Sequence, residues 1–425
     1  MNALTAANGV SGAAARRWAG DGASRIPFWA YTDPEIYRRE LERFFYGRGH
    51  WCYVALEAEL PNAGDYKLSR VGERSVIVVR ARDGGFHVVE NRCTHRGVRF
   101  CQTPRGNARA FVCPYHQWTY KLNGDLAGLP FRHGVKKGDE VQGGMPADFD
   151  PRQHGLTKLK VETYHGLVFA SFDPAALPLA EYFGPAVTPW LDRIFKGRKL
   201  TILGTNRQRI PGNWKLMMEN IKDPYHPGLL HTWFVTFGLW RADQQSRMVM
   251  DDAGRHAVMI SQRNQGGEAK AVTEGVTSFK KDMTLHDPRL LDVVVEPWWN
   301  GPTVTMITLF PSVIIQQQVN SLSTRHILPA GPDSFDFVWT HFGFADDSAE
   351  MTRRRLRQAN LFGPAGFVSA DDGEVIEFSQ AGFRQAGAGE TVCELDGRGV
   401  APTPHMVTET LIRGMYAYWR KVMEL

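Results

Sequence analysis

Cysteine is scarce in this chain: five residues in 425, at positions 52, 93, 101, 113 and 393. So few, so scattered, exclude a disulfide framework and lead to the expectation of a reducing, cytoplasmic setting. Long apolar runs are missing as well. No stretch approaches the roughly 18 residues a membrane span requires, so no membrane association is expected. The opening MNALTAANGVSGAAARR lacks the charged start and apolar stretch of a signal peptide, and reads as a flexible tail over residues 1–30. There is no large surplus of either charge, since 50 Lys and Arg face 45 Asp and Glu for a net of +5. The basic clusters Arg353–Arg357 and Lys196–Lys199 are short and interrupted. Without a sustained stripe they argue against a nucleic-acid partner, and read as solvated surface or as a docking face for an acidic redox protein.

What is present is ordinary globular material, 43% hydrophobic and 22% charged, in a chain long enough for two or three domains. Residues 33–46 place Ile36, Tyr37, Leu41, Phe44 and Phe45 at helical spacing behind an Asp-Pro start. The period then changes. Short alternating runs at 75–81, 86–92, 108–115 and 159–172, separated by turn signals, predict an antiparallel β unit over 47–172. Beyond 173 helices and strands mix: 303–318 and 335–344 read as long strands, 347–362 and 408–424 as helices. The fold class is therefore α+β, with residues 31–46 expected to join 173–425 in the second domain.

The β unit carries Cys93-Thr-His95 and Cys113-Pro-Tyr-His116, with seventeen residues between His95 and Cys113. Each half offers one thiolate and one imidazole on a loop. Two Cys and two His suit a structural zinc, or a Rieske 2Fe-2S centre with Cys on one iron and His on the other. Zinc fingers usually group like with like, whereas here each loop supplies one of each, as two adjacent irons require. Gly97 and Pro114 suit tight loops whose backbone N–H groups face sulfur.

A second constellation lies at Asp223-Pro-Tyr-His226-Pro-Gly-Leu-Leu-His231. On a straight helix His226 and His231 would sit about 140° apart. Pro224, Pro227 and Gly228 supply the distortion that could unite them. The best third ligand is Asp372, at the end of the apolar approach Gly363–Ala370. Two His and one carboxylate form the facial triad of a mononuclear non-haem Fe(II), although a zinc hydrolase uses the same ligand types.

Taken together, the two sets resemble the large (α) subunits of Rieske non-haem iron ring-hydroxylating oxygenases, over nearly the whole chain. The resemblance implies a Rieske domain beside a helix-grip-like catalytic domain. It implies that Cys93, His95, Cys113 and His116 hold the 2Fe-2S cluster and that His226, His231 and Asp372 hold the iron. It further implies a trimeric ring in which Asp223 bridges His116 of one chain and His226 of the next, where capping of its own helix is the plainer role. Electrons from NAD(P)H would arrive through a flavin reductase and a 2Fe-2S ferredoxin, both separate chains, with O2 as co-substrate. A small β subunit, giving α3β3, is implied in the same way.

Asn220 stands three residues before Asp223, a spacing similar to that of family members acting on aromatic acids. The stretches Arg209–Lys215, Lys222–Phe234, Phe310–Gln318 and Asn360–Asp372 are most similar to the salicylate 5-hydroxylases, with anthranilate and terephthalate dioxygenases next. A benzoate-type substrate would then be expected, most simply salicylate going to gentisate. Its buried carboxylate needs a cation. Arg325 and His326 are candidates, and Arg413 reads as a surface charge on the last helix. Pro404-His405-Met406, without an Arg or Lys, favours a monocarboxylate. Asn220, Gln316, Val368, Ser369 and Met259 or Ile260 are the remaining expected pocket residues. A pure electron-transfer Rieske protein is the contrasting reading, disfavoured by a second domain with its own triad. Cys52, Cys101 and Cys393 are left as packing thiols.

Overall fold

The computed structural model describes residues 18, 20, 22–263 and 276–425. Two antiparallel seven-stranded sheets organise them. The first runs in the order Cys52–Leu56, Leu167–Ser171, Lys158–Tyr164, Phe86–Glu90, Arg74–Arg80, Asp65–Val71, Arg105–Asn107. A three-stranded sheet of Phe111–Val112, Thr119–Tyr120 and Leu126–Gly128 lies beside it, and between them sits a core of Ile77, Val79, Val89, Phe100, Trp118 and Tyr120 around Cys93 and Cys113. The second large sheet runs Leu200–Ile210, Phe335–Phe344, Ser321–Pro329, Val313–Gln318, Val304–Leu309, Ala257–Gln262, Gln245–Met250.

Most of the expected tail over 1–30 lies outside the described residues, but its last part is built into the fold. Arg25–Pro27 pairs with Glu390–Val392, Ile26 is buried, and Trp29–Thr32 is helical. Apolar side chains at 26, 29 and 31 gain more by packing than the backbone loses by ordering. The next helix, Pro34–Glu40, is capped by the Asp33 carboxylate accepting from the N–H groups of Glu35 and Ile36. It continues as a wider turn over Leu41–Phe45. Glu40 anchors it in the second unit: fully buried, it accepts from the indole N–H of Trp214 and Trp419 and pairs with Lys215 at 2.8 Å.

Residues 303–318, expected as one long strand, form a hairpin instead. Val304–Leu309 and Val313–Gln318 fold back on each other around Phe310-Pro311-Ser312, an apolar turn whose proline interrupts the ladder. The two units share a core rather than a tether. Tyr53, Phe169 and Leu167 pack with Ile307, Leu309, Val313 and Phe342, and Ser312 Oγ accepts from Tyr53 N–H at 3.0 Å. Among the described residues no helix is long and apolar enough to cross a membrane.

Candidate metal centres and ligand face

The two loops of the β unit are near copies of one another. Cys93 N–H donates to Val98 C=O and Gly97 N–H to Cys93 C=O, both at 2.8 Å; Cys113 N–H donates to Trp118 C=O and Gln117 N–H to Cys113 C=O, both at 2.9 Å. The fifth residue of each, Gly97 at φ +72° and Gln117 at φ +55°, is left-handed, so the chain doubles back and lifts its histidine away from the sheet. Both cysteines are buried, and the histidine rings lie 4.6 Å apart between centroids. Trp118 stacks flat on His95 at 4.8 Å, and Tyr120 OH lies 3.1 Å from Cys93 Sγ. Burial and then the neighbouring His116 push His95 down, the direction that favours the neutral imidazole a metal ligand presents. Burial pushes the Cys113 thiol up, so cation binding there would have to release its proton. Buried thiols together and half-exposed imidazoles together form a donor set that fits a Rieske centre.

The second set comes together across 146 residues of sequence. Helix Trp214–Lys222 is capped at its start by Asn213 and ends at Asp223. Pro224 then forces a break, and one helical turn follows, Pro227–Leu230, with His226 and His231 flanking it. Gly228 is required at that turn because a Cβ would overlap the Trp240 ring. Facing them, helix Ser369–Ala386 presents Asp371 and Asp372 in its first turn, where the helix dipole favours acids. Asp372 Oδ1 lies 3.5 Å from His226 Nε2 and 3.2 Å from His231 Nε2, and the three ligand atoms all fall within 4.8 Å of one another.

The other ring nitrogens are held from behind. His226 Nδ1 donates to the Asp223 carbonyl at 2.9 Å, and His231 Nδ1 to Asp371 Oδ2 at 3.1 Å. Both Nε2 lone pairs are thereby directed at the common point. Burial would push His226 down, but its hydrogen bonds to the Asp223 and Asp372 carboxylates outweigh it and hold it up to about 10. The same imidazoles hold Asp372 well below the usual carboxylate range against the effect of burial. A point that draws a proton onto a buried imidazole favours positive charge, and two imidazoles with one carboxylate fit mononuclear iron. Asn220 Nδ2 donates to Asp372 Oδ1 at 3.1 Å. The Asp223 carboxylate accepts from Tyr225 and His226 N–H, so it does cap its own chain.

Sheet register explains the substrate-side residues. One row across the large sheet reads Met248, Met259, Met306, Gln316, Ser323, His341, and the next holds Arg325 and Trp339 on the same face. Arg325 is buried, lies 3.9 Å over Trp339, donates to Gln316 Oε1, and has no carboxylate within ion-pair distance among the described residues. Burial pushes it down to about 9, against the pull of Asp372.

His326 points to the opposite face, edge-on to Tyr53 at 5.2 Å, so the alternation of the strand removes it from the site. Ile260 is excluded likewise, packing with Val258 and Ile307 while Met259 packs among Met306, Phe234 and Val368. Arg413 is not a surface charge. It is buried and donates to the carbonyls of Gly399, Cys393, Leu395 and Asp396, because helix Thr410–Met423 is covered on more than one side. Ser369 Oγ donates to Gln208 Oε1 at 3.1 Å, and Val368 is buried just before it. Sequence reasoning missed Asp371, whose signal was the Asp-Asp pair, and His341, which only register reveals.

A family model for the ring hydroxylating alpha subunit (catalytic domain) matches residues 197–425, and one for the Rieske 2Fe-2S domain matches residues 50–139. The chain is 66% identical to the salicylate 5-hydroxylase large oxygenase component of a Ralstonia sp, covering 96% of each. It is 42% identical to the anthranilate 1,2-dioxygenase large subunit of Burkholderia cepacia, covering 95% of this chain and 94% of the relative. In structure it is similar to naphthalene 1,2-dioxygenase from Rhodococcus sp. bound to indole, with a TM-score of 0.76 and 94% of each chain covered. At 24% identity that last likeness concerns the fold alone.

Proposed function

Since this chain belongs to the large (α) subunits of the Rieske ring-hydroxylating oxygenases, we propose that it is the terminal oxygenase of a system that hydroxylates salicylate para to its hydroxyl, giving gentisate. The reaction consumes salicylate, O2, two electrons and two protons, and releases gentisate and water. The observation that carries an aromatic acid is Arg325: a buried cation with no carboxylate at ion-pair distance among the described residues, on the sheet face towards Asp372. An incoming carboxylate would complete that pair, and a methionine-lined face beside it suits a ring.

The cluster falls to Cys93, His95, Cys113 and His116, and the iron to His226, His231 and Asp372. When bound, the cluster supplies single electrons and the iron activates O2. The chain's own residues do the rest. Asp223 and Asp371 fix which nitrogen of each histidine faces the centre, Arg325 holds the acid, and the apolar approach over residues 363–370 excludes water. Residues 47–172 form the electron-accepting unit, and residues 31–46 with 173–425 the catalytic one. Asp223, mostly buried at the end of its helix, is the residue assigned to the contact with a second chain in a proposed ring of large subunits with a small β subunit, α3β3. A ferredoxin and an NAD(P)H reductase are separate proteins, and the setting is cytoplasmic.

The test is reconstitution with a ferredoxin, a reductase, salicylate and anthranilate, followed by product identification. Gentisate supports the proposal; catechol from anthranilate, with salicylate untouched, would replace it with an anthranilate 1,2-dioxygenase.

A further inference from the structure

Four buried polar atoms of this face and of the Asp372 surround have no hydrogen-bond partner among the described residues: Asn220 Oδ1, Arg325 Nε, Trp339 Nε1 and His341 Nδ1. Buried polar groups are nearly always paired, and Arg325, Trp339 and His341 are neighbours on one sheet face, so their unpaired atoms indicate groups that a ligand satisfies. Their polarities differ. Arg325 Nε–H is a donor, while Asn220 Oδ1 is an acceptor. His341 is fixed by its neighbour: its Nε2 lies 3.1 Å from Asn206 Oδ1, which accepts and so places the proton on Nε2. A neutral imidazole carries one proton, so Nδ1 is a bare acceptor. Burial, and then the charge of Arg325, push His341 down to about 4, so the ring is neutral at working pH.

Its position is equally defined. His341 pairs across the ladder with Ser323, while Arg325 pairs with Trp339, so His341 and Arg325 are diagonal neighbours on one face. Both rest against the Trp339 ring, Arg325 at 3.9 Å and His341 at 5.7 Å. The His341 Cε1 edge faces Gly363, where the segment leading to Asp372 begins.

We propose that His341 Nδ1 accepts a hydrogen bond from the ortho substituent of a benzoate whose carboxylate Arg325 holds. The inference rests on the aromatic-acid reading above and adds to it the feature by which the site selects within that class. Ortho-hydroxyl and ortho-amino benzoates carry the donor; benzoate and o-methoxybenzoate do not. In free salicylate the hydroxyl proton turns inward to the carboxylate, and the Arg325 guanidinium competes for that oxygen, which frees the proton for His341. Leaving Nδ1 unpaired in a buried site would weaken binding by roughly tenfold.

The experiment is equilibrium binding of the four acids to the anaerobic holoenzyme and to variants whose iron content and visible spectrum match it. Salicylate and anthranilate should bind about tenfold more tightly than benzoate and o-methoxybenzoate. His341→Phe should abolish the difference, since neither pair of acids then meets an unpaired acceptor, and His341→Gln, which keeps an acceptor, should restore part of it. Asn206→Ala keeps the imidazole and releases its tautomer, and should also reduce the preference. A preference that survives intact in His341→Phe, or is absent from the wild type, would overturn the role of His341 alone. Failure of every acid to bind the wild type would overturn the aromatic-acid reading, and His341 with it.

Discussion

Asp371 and Asp372 are adjacent and alike in sequence, yet the helix turns one inward to the common point and the other to the back of His231. Their substitutions should therefore separate. Asp372→Asn should abolish iron retention, whereas Asp371→Asn should weaken it by about tenfold to 100-fold, as read by competition with a graded chelator. Equal iron retention by Asp371→Asn and wild type would deny the supporting role. Arg325→Gln should cost salicylate about 2 kcal/mol or more of binding, with iron content unchanged. If salicylate affinity is unaltered, the carboxylate lies elsewhere. The ligand residues were legible in sequence because each pair is local: Cys93 with His95, Cys113 with His116, His226 with His231. His341, Asn206 and Arg325 meet only through the register of three strands, which no short motif records. Arg413 misled because a charged residue near a terminus usually meets water, and here four backbone carbonyls replace it.

Among elements, the single turn Pro227–Leu230 sets the distance between the two histidines. Gly228→Ala should push Trp240 aside and spread that turn, and the purified protein should lose most of its iron while keeping the visible spectrum of the cluster. Full iron occupancy in that variant would show that the turn adapts. A second link is Glu219, which accepts from Tyr31 on the first helix and Tyr416 on the last. Burial raises its carboxyl to about 7, only partly opposed by those phenols and Lys215. With the folded value above the ordinary 4.5, the native state binds the extra proton. Its contribution to stability is complete below that ordinary value and is lost as pH rises to about 7. Glu219→Gln should flatten this segment of the stability profile in chemical denaturation across the range, and an unchanged slope would assign it to other groups. The helices and the strand over 335–344 were readable from periodicity. The hairpin over 304–318 was not, because its turn, Phe-Pro-Ser, is as apolar as the strands it joins.

For the molecule as a whole, the proposed ring makes a prediction no single chain can satisfy. Mixed assemblies of Cys93→Ser chains and His226→Ala chains, each inactive alone, should regain turnover, because an intact cluster in one chain would adjoin an intact iron site in the next. Turnover that never rises above either parent would place electron transfer within one chain. The shared core between the sheets adds a different consequence. Arg325 and His326 are consecutive, yet one faces the ligand side and the other lies edge-on to Tyr53 of the cluster-bearing unit. The strand between them is a partition one residue thick. Two side chains that share one peptide unit thus face different units of the molecule, Arg325 over Trp339 and His326 against Tyr53.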